Sequence, residues 1–420
     1  MERRRVVVTG LGAVSPLGKD ADETWQNAKK GKSGAARITL FNPERLDVQI
    51  AAEVKNFSLE NYSINKKLAR RMARFTQLAL ASAVQAVTDA GYNETTLKEE
   101  KCAVALGCCI GGIDACSEGF EKLLDPAFGP SRIPPFTTPL MISNEASANI
   151  SMHYGLKKLS WTLSNACASG TDSLGLALDL IRSGRCDMCI SGGSDSCITE
   201  FSIACYEGMN ALARGYNDEP EKASRPFDKK RCGFLVGEGS AILILEELEH
   251  AKKRGAKIYA EIAGFGASCD AYHIAAPLKD GSGAALAVKE ALEDAGLKPE
   301  DIQYYNAHGT STVSNDSAET AMLHTVFGQK AEKLHVSSTK SMTGHLIGAA
   351  GAIEAFFCVK AVTDDFIPPT INLEDQDTED GCDLDYTPNT GLKTTVNAAM
   401  SASLGFGGHN GCIIIKKYKE

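Results

Sequence analysis

One strand-and-turn signature occurs twice along the 420 residues, and it constrains the fold more than any other feature. Val6-Val7-Val8-Thr9-Gly10-Leu11-Gly12-Ala13-Val14-Ser15 is an apolar run entering a glycine-rich turn. Tyr259-Ala260-Glu261-Ile262-Ala263-Gly264-Phe265-Gly266-Ala267-Ser268 repeats that style. Each signature has a later companion. A β-like run before Cys167 passes into small residues and a helical pattern. The run ending at Ser337 passes through Ser338-Thr339-Lys340-Ser341-Met342-Thr343-Gly344-His345 and small residues into another. A supersecondary unit that repeats does so because one copy cannot bury its apolar face alone. Two similar halves, 1–255 and 256–420, are therefore expected, dividing at the basic helix end Lys252-Lys253-Arg254-Gly255. No low-complexity linker separates them, so they are expected to share one core with corresponding strand ends around one centre.

Period-2 and period-3.6 patterns alternate throughout, which predicts an α/β protein. Strands are predicted at 5–9, 102–107, 188–191, 240–245, 259–264, 334–337 and 411–415, and helices at 69–90, 171–183, 284–295, 317–327 and 348–363. A 43% hydrophobic content supports a large core. The net charge of -9 argues against a general nucleic-acid binder. The apolar stretches are too short to span a bilayer, and the start Met1-Glu2-Arg3-Arg4-Arg5 before a short strand is no signal peptide, so a cytoplasmic protein without membrane contact is expected.

The fourteen cysteines do not form a disulfide framework, because many, such as Cys102, Cys189 and Cys412, lie in apolar strand-like runs. Cys186-Asp187-Met188-Cys189 has zinc or redox spacing, but no second pair accompanies it and it runs into Ile190-Ser191-Gly192-Gly193; no metal is expected. Gly10-Leu11-Gly12 invites a dinucleotide-binding reading that fails on spacing, since Ser15 stands at the third glycine.

Cys167 is the strongest candidate nucleophile. It lies on a predicted strand-to-helix turn, where backbone N–H groups and the helix dipole are expected to lower its pKa. Three segments strengthen the reading. His308 stands at a strand end before Gly309-Thr310-Ser311-Thr312. Lys340 and His345 flank a tight turn, with Glu354 on the helix that follows. Gly405-Phe406-Gly407-Gly408 is a glycine-dense turn able to expose N–H groups to an oxyanion. One cysteine with two histidines suits acyl transfer at carbon, the thiolate holding an acyl group and two imidazole N–H donors stabilising an enolate.

At these residues the chain resembles the β-ketoacyl-acyl-carrier-protein synthases, closest to the type II elongating enzymes of the thiolase superfamily. The landmarks are Val8-Thr9-Gly10-Leu11-Gly12, Ala166-Cys167-Ala168-Ser169-Gly170, Ser224-Arg225-Pro226-Phe227-Asp228, His308-Gly309-Thr310-Ser311-Thr312, Lys340-Ser341-Met342-Thr343-Gly344-His345 and Gly405-Phe406-Gly407-Gly408, in the family's order from end to end. The resemblance implies a thiolase-like fold, two βαβαβαββ halves in a five-layered α-β-α-β-α core. It implies a ping-pong decarboxylative Claisen condensation on substrates carried by the phosphopantetheine of acyl carrier protein, with no cofactor bound by the chain. Cys167 would carry the acyl chain, and His308 and His345 would promote decarboxylation of the malonyl unit. Lys340 and Glu354 would support the histidines. The N–H groups of Cys167 and Phe406 would form the oxyanion hole, with Phe406 also the gate. Thr310 and Thr312 match pantetheine-contacting hydroxyls, and Ile110 falls where the acyl pocket is limited, with Cys108 and Cys109 beside it. Carrier proteins are acidic, so Lys66, Lys67, Arg70, Arg71 and Arg74 form a docking candidate, Arg70 and Arg71 matching best. The family is dimeric, which implies a homodimer or a heterodimer with a homologous subunit.

Departures from the family's pattern bear on substrate. Ala402, Ser403 and Leu404 precede the last glycine turn where the family carries Asn, Ser and Phe. Ala275 and Ala276 replace hydroxyl residues, and Cys232 replaces an acidic one. Leu404 is thus a candidate substrate-binding residue that widens the site. A ketosynthase of a polyketide or aryl-polyene pathway is the alternative. A non-catalytic chain-length-factor subunit would lack the cysteine that Cys167 supplies, and a degradative thiolase would pair one histidine with a second cysteine.

Overall fold

Gly10 and Gly12 stand where the first long helix presses on the first strand. A Cβ on Gly12 would lie 2.0 Å from the Ser82 carbonyl oxygen, and one on Gly10 2.2 Å from that of Ala86. The second copy does the same, with Gly266 and Gly264 meeting the Ala287 and Ala291 carbonyl oxygens at 2.1 and 2.5 Å. Both Gly-x-Gly pairs therefore serve close helix–strand approach.

The computed structural model describes residues 3–127 and 129–419. The N-terminal half runs β1 (Val6–Val14), α1 (Arg74–Asp89), β2 (Cys102–Gly107), α2 (Glu145–Tyr154), β3 (Ser160–Leu163), α3 (Ser169–Arg182), β4 (Met188–Asp195) and β5 (Gly239–Glu247). The C-terminal half runs β6 (Ala260–Cys269), α4 (Ser282–Ala295), β7 (Tyr304–Asn306), α5 (Val313–Phe327), β8 (His335–Ser337), α6 (Ala350–Asp364), β9 (Ala398–Gly405) and β10 (His409–Lys417). Both follow the expected βαβαβαββ order.

The ten strands form one sheet in the order β8-β7-β9-β10-β6-β1-β5-β4-β2-β3. The first strand of each half lies at the centre, and β1 pairs with β6 antiparallel, Val6 opposite Ile262 and Val8 opposite Ala260. Outward from that seam both halves place two antiparallel neighbours and then parallel strands. Helices α3 and α6 lie together between the half-sheets, with Leu174, Leu178, Ile353 and Phe357 in one buried cluster. Helices α1 and α2 cover the outer face of one half-sheet through Phe75, Leu78 and Ile150. Helices α4 and α5 cover that of the other through Val288, Leu292 and Met322. Five layers result, and the two inner helices begin at the same level. Their N-terminal turns define the site.

Among the described residues no helix is long and apolar enough to cross a membrane.

Candidate active site

Cys167 sits in a tight 3-10 turn, residues 166–168, between β3 and α3. Ala166 has a φ of 49°, a left-handed conformation that costs a non-glycine residue energy. The Ser169 hydroxyl closes the turn, accepting the Asn165 N–H at 2.9 Å and donating to the Ala166 carbonyl at 2.6 Å. Only 8% of Cys167 is exposed, and that face looks into a cavity of about 750 Å³. The thiol departs from the sequence expectation. Burial pushes its pKa up to about 11, outweighing the opposing pull of Lys340 and of the Phe406 backbone N–H. The helix end does not make Cys167 a thiolate at rest, because desolvation penalises the charged sulfur more strongly.

The histidines arrive from the other half. His308 follows β7, and Glu319 on α5 anchors its loop by accepting the N–H groups of His308 at 2.7 Å and Gly309 at 2.8 Å. Lys340 Nζ donates to His308 Nδ1 at 3.2 Å, which leaves the ring proton on Nε2. For His345 the Ile347 N–H donates to Nδ1 at 3.1 Å, so Nε2 again carries the proton, 3.1 Å from the Cys167 sulfur. The two rings meet edge to face with centroids 5.3 Å apart. Burial, and then Lys340, hold both well below the usual histidine range, so both are neutral donors. The sulfur and one nitrogen of each ring lie within 4.8 Å of one another. Lys340 is itself held by a buried ion pair with Glu354, whose carboxyl burial raises to about 7 against the pull of Lys340.

Phe406, Leu404, Thr310 and Thr312 line the same cavity, as do Ala275, Ala276 and Cys232. The Thr310 and Thr312 hydroxyls bond each other at 2.9 Å, and Thr312 also caps α5. Cys109 lines the cavity wall, whereas Cys108 is core. Ile110 lies outside the cavity lining and packs in the same apolar cluster as Cys109 and Tyr206.

A buried thiol, two neutral imidazole donors and the Phe406 N–H of the glycine turn form a site for acyl transfer. Family models agree. Those for the β-ketoacyl synthase N-terminal and C-terminal domains match residues 3–251 and 259–374. The chain belongs to the β-ketoacyl synthase family. It is 44% identical over 418 residues to 3-oxoacyl-[acyl-carrier-protein] synthase 2 of Staphylococcus aureus, covering 100% of this chain and 99% of the relative. It is 45% identical over 419 residues to the protein of the same name from Synechocystis, with the same coverage. Among solved structures, the ishigamide ketosynthase/chain length factor superposes with a TM-score of 0.93 at 36% identity, covering 99% of this chain and 100% of that one. A type II PKS acyl-carrier protein in complex with its ketosynthase bound to the hexaketide gives 0.92 at 33% identity, covering both chains fully (100%).

Sequence reasoning about this synthase missed Glu319, whose signal was only a helical position eleven residues after His308. It also missed Phe234, whose ring meets His345 edge to face at 5.5 Å. The Ser224-to-Asp228 motif backs the site: the Arg225 N–H donates to Ser311 at 3.0 Å and the Phe227 N–H to Asp316 at 2.9 Å. Of the docking candidates, Lys67, Arg70 and Arg71 are exposed. The Lys66 side chain lies outside the described residues. Arg74 turns inward, donating to Glu238 at 2.6 Å and to the Val54 carbonyl at 2.9 Å. It is half-buried and held by that ion pair, unlike the exposed Lys67, Arg70 and Arg71.

Proposed function

We propose that this β-ketoacyl synthase condenses an acyl thioester held on Cys167 with malonyl-acyl-carrier-protein, releasing carbon dioxide and forming 3-oxoacyl-acyl-carrier-protein for fatty acid elongation. The observation that carries the reading is the meeting of one buried thiol with two neutral Nε2–H donors. Cys167 attacks the acyl thioester; the oxyanion rests on the N–H groups of Cys167 and Phe406, and the carrier thiol leaves with the proton. Malonyl-carrier then enters. Its C–C bond to carboxylate breaks, and the electron pair passes to the thioester oxygen, which accepts hydrogen bonds from His308 and His345. The enolate carbon attacks the acyl carbonyl, the new C–C bond forms, and the C–S bond to Cys167 breaks. Lys340, paired with Glu354, holds the His308 tautomer through these steps. Thr310 and Thr312 receive the pantetheine arm, and the chain binds no cofactor of its own.

Arg70, Arg71 and Lys67, with Lys66, dock the acidic carrier. A homodimer forms through β3, which ends the sheet with one edge open and Trp161 partly exposed. The enzyme works in the cytoplasm. A polyketide or polyene role is a second reading. Leu404 at the cavity wall and full-length similarity to a ketosynthase/chain length factor favour it; the higher identity to the synthase 2 relatives favours elongation. Incubation with malonyl-carrier and acyl-carriers of graded length, followed by mass spectrometry, is expected to give acyl-Cys167 and 3-oxoacyl products. An unacylated Cys167 and no condensation with any donor would overturn the proposal.

A further inference from the structure

The last residue of β4 is a buried carboxylate that none of these steps uses. Asp195 is 0% exposed. Its Oδ2 accepts the N–H of Cys109 at 2.7 Å and that of Gly348 at 2.9 Å. Its Oδ1 accepts from the Cys108 and Cys197 thiols at 3.7 and 3.6 Å, with the Ile110 N–H at 3.4 Å. One carboxylate thus joins the Cys109 wall of the cavity to the turn that follows His345.

That turn is strained. Ile347 has a φ of 52°, a left-handed conformation that a β-branched residue keeps only where its surroundings over-determine it. The Ile347 N–H is also the group that sets the His345 tautomer. Gly348 leaves no room for a side chain, since a Cβ there would stand 2.4 Å from both Asp195 Oδ2 and the Cys109 nitrogen. The equivalent strand end in the other half is Gly405, which ends β9 against the Cys167 turn. It has no side chain, and a Cβ there would stand 3.2 Å from the Cys167 nitrogen.

We propose that Asp195 is a positioning residue for His345. Its carboxylate clamps the strained Ile347–Gly348 turn, keeps the Ile347 N–H on His345 Nδ1, and ties that turn to the Cys109–Ile110 wall. The proposal rests on the condensation reading above. It predicts that decarboxylation, which needs His345 Nε2–H, depends on Asp195 more than acylation of Cys167 does.

The test is Asp195→Ala, which leaves the Cys109 and Gly348 N–H groups without their acceptor. The kcat for malonyl-carrier decarboxylation is expected to fall by about tenfold to a hundredfold, with KM changed by less than about threefold. Acylation of Cys167 from acyl-carrier is expected to stay within about threefold. Gly348→Ala pushes a Cβ into the same oxygen and is expected to give the same split. ¹⁵N-histidine NMR, assigned with His345→Ala, is expected to show His345 as Nε2–H in the parent and as mixed tautomers in Asp195→Ala. Equal losses in both half-reactions, or no loss in either, would overturn the proposal. If neither variant folds, the parent spectrum decides: an Nε2–H His345 supports it and an Nδ1–H His345 contradicts it. Failure of the condensation reading looks different, since the parent itself would then form no acyl-Cys167 and no product.

Discussion

The two halves build the same strand–turn–helix corner and use it for opposite purposes. Ahead of α3 the turn is Ala166-Cys167-Ala168, and ahead of α6 it is Ile347-Gly348-Ala349, each opening on a left-handed residue with φ near 50°. In the first, the middle residue carries the thiol and lines the cavity. In the second, the middle residue is glycine and its N–H is covered by Asp195. The strand ends that meet these corners are reversed in character, Gly405 against the cysteine turn and a carboxylate against the glycine turn. In the proposed reaction the first corner receives the substrate oxyanion. The other is filled by the protein's own anion and lends its rigidity to His345. The two corners match in backbone, and the proposed chemistry leaves only the first of them for substrate.

This contrast can be broken at several points. The largest effect belongs to His308→Ala, which removes an Nε2–H from the enolate oxygen. Malonyl decarboxylation is expected to fall by about a hundredfold to a thousandfold, measured as carbon dioxide release, while Cys167 still acylates. Glycine substitution compares the corners directly. A Cβ at Gly348 meets backbone and carboxylate at 2.4 Å, whereas at Gly405 its nearest neighbour is the Asn165 carbonyl oxygen at 3.0 Å. Gly348→Ala is therefore expected to cost about 1–3 kcal/mol in chemical denaturation, and Gly405→Ala less. Gly405→Ala should instead reduce acylation, because its Cβ would lie 3.2 Å from the Cys167 nitrogen.

The first corner also makes a pH prediction. With its pKa raised to about 11, the Cys167 thiol is mostly protonated at neutral pH, and its thiolate fraction grows as pH rises. Iodoacetamide alkylation of the free enzyme, followed by mass spectrometry, is expected to accelerate about tenfold per pH unit from 7 to 9. A plateau beginning near pH 7 would show that the helix end outweighs burial. The smallest effect is at the cavity wall. Leu404→Phe is expected to lower condensation of the longest acyl-carriers by only a few-fold and to leave short ones unchanged.

Much of this was legible in the sequence. The repeat predicted two halves, and the order of its strands and helices predicted their equivalence, because apolar periodicity and glycine placement are local signals. Cys167, His308, Lys340, His345 and Phe406 were readable because each follows a strand end in a stretch of small residues. Strand β9 was not, since Ala398–Gly405 is mostly small residues buried on both faces and carries no alternation. Strand β3, short and at the edge, was legible as the β-like run before Cys167, whereas α2 has little amphipathic contrast. Helix α1 starts at Arg74 rather than at residue 69, because Ala73 is extended and a short turn precedes it. Asp195 and Glu319 were invisible because their partners are backbone N–H groups brought to them by the fold. The thiol pKa was misjudged for a related reason: a helix N-terminus can be read from sequence, but the depth at which it is buried cannot.

The separation of labour between the two corners is tested most directly by Cys167→Ala. With malonyl-carrier alone, carbon dioxide release is expected to continue through His308 and His345, while no acyl-enzyme and no 3-oxoacyl product form. Condensation by Cys167→Ala would contradict the account by placing the nucleophile elsewhere. Loss of decarboxylation from the folded variant would contradict it by showing that the two halves do not act separately.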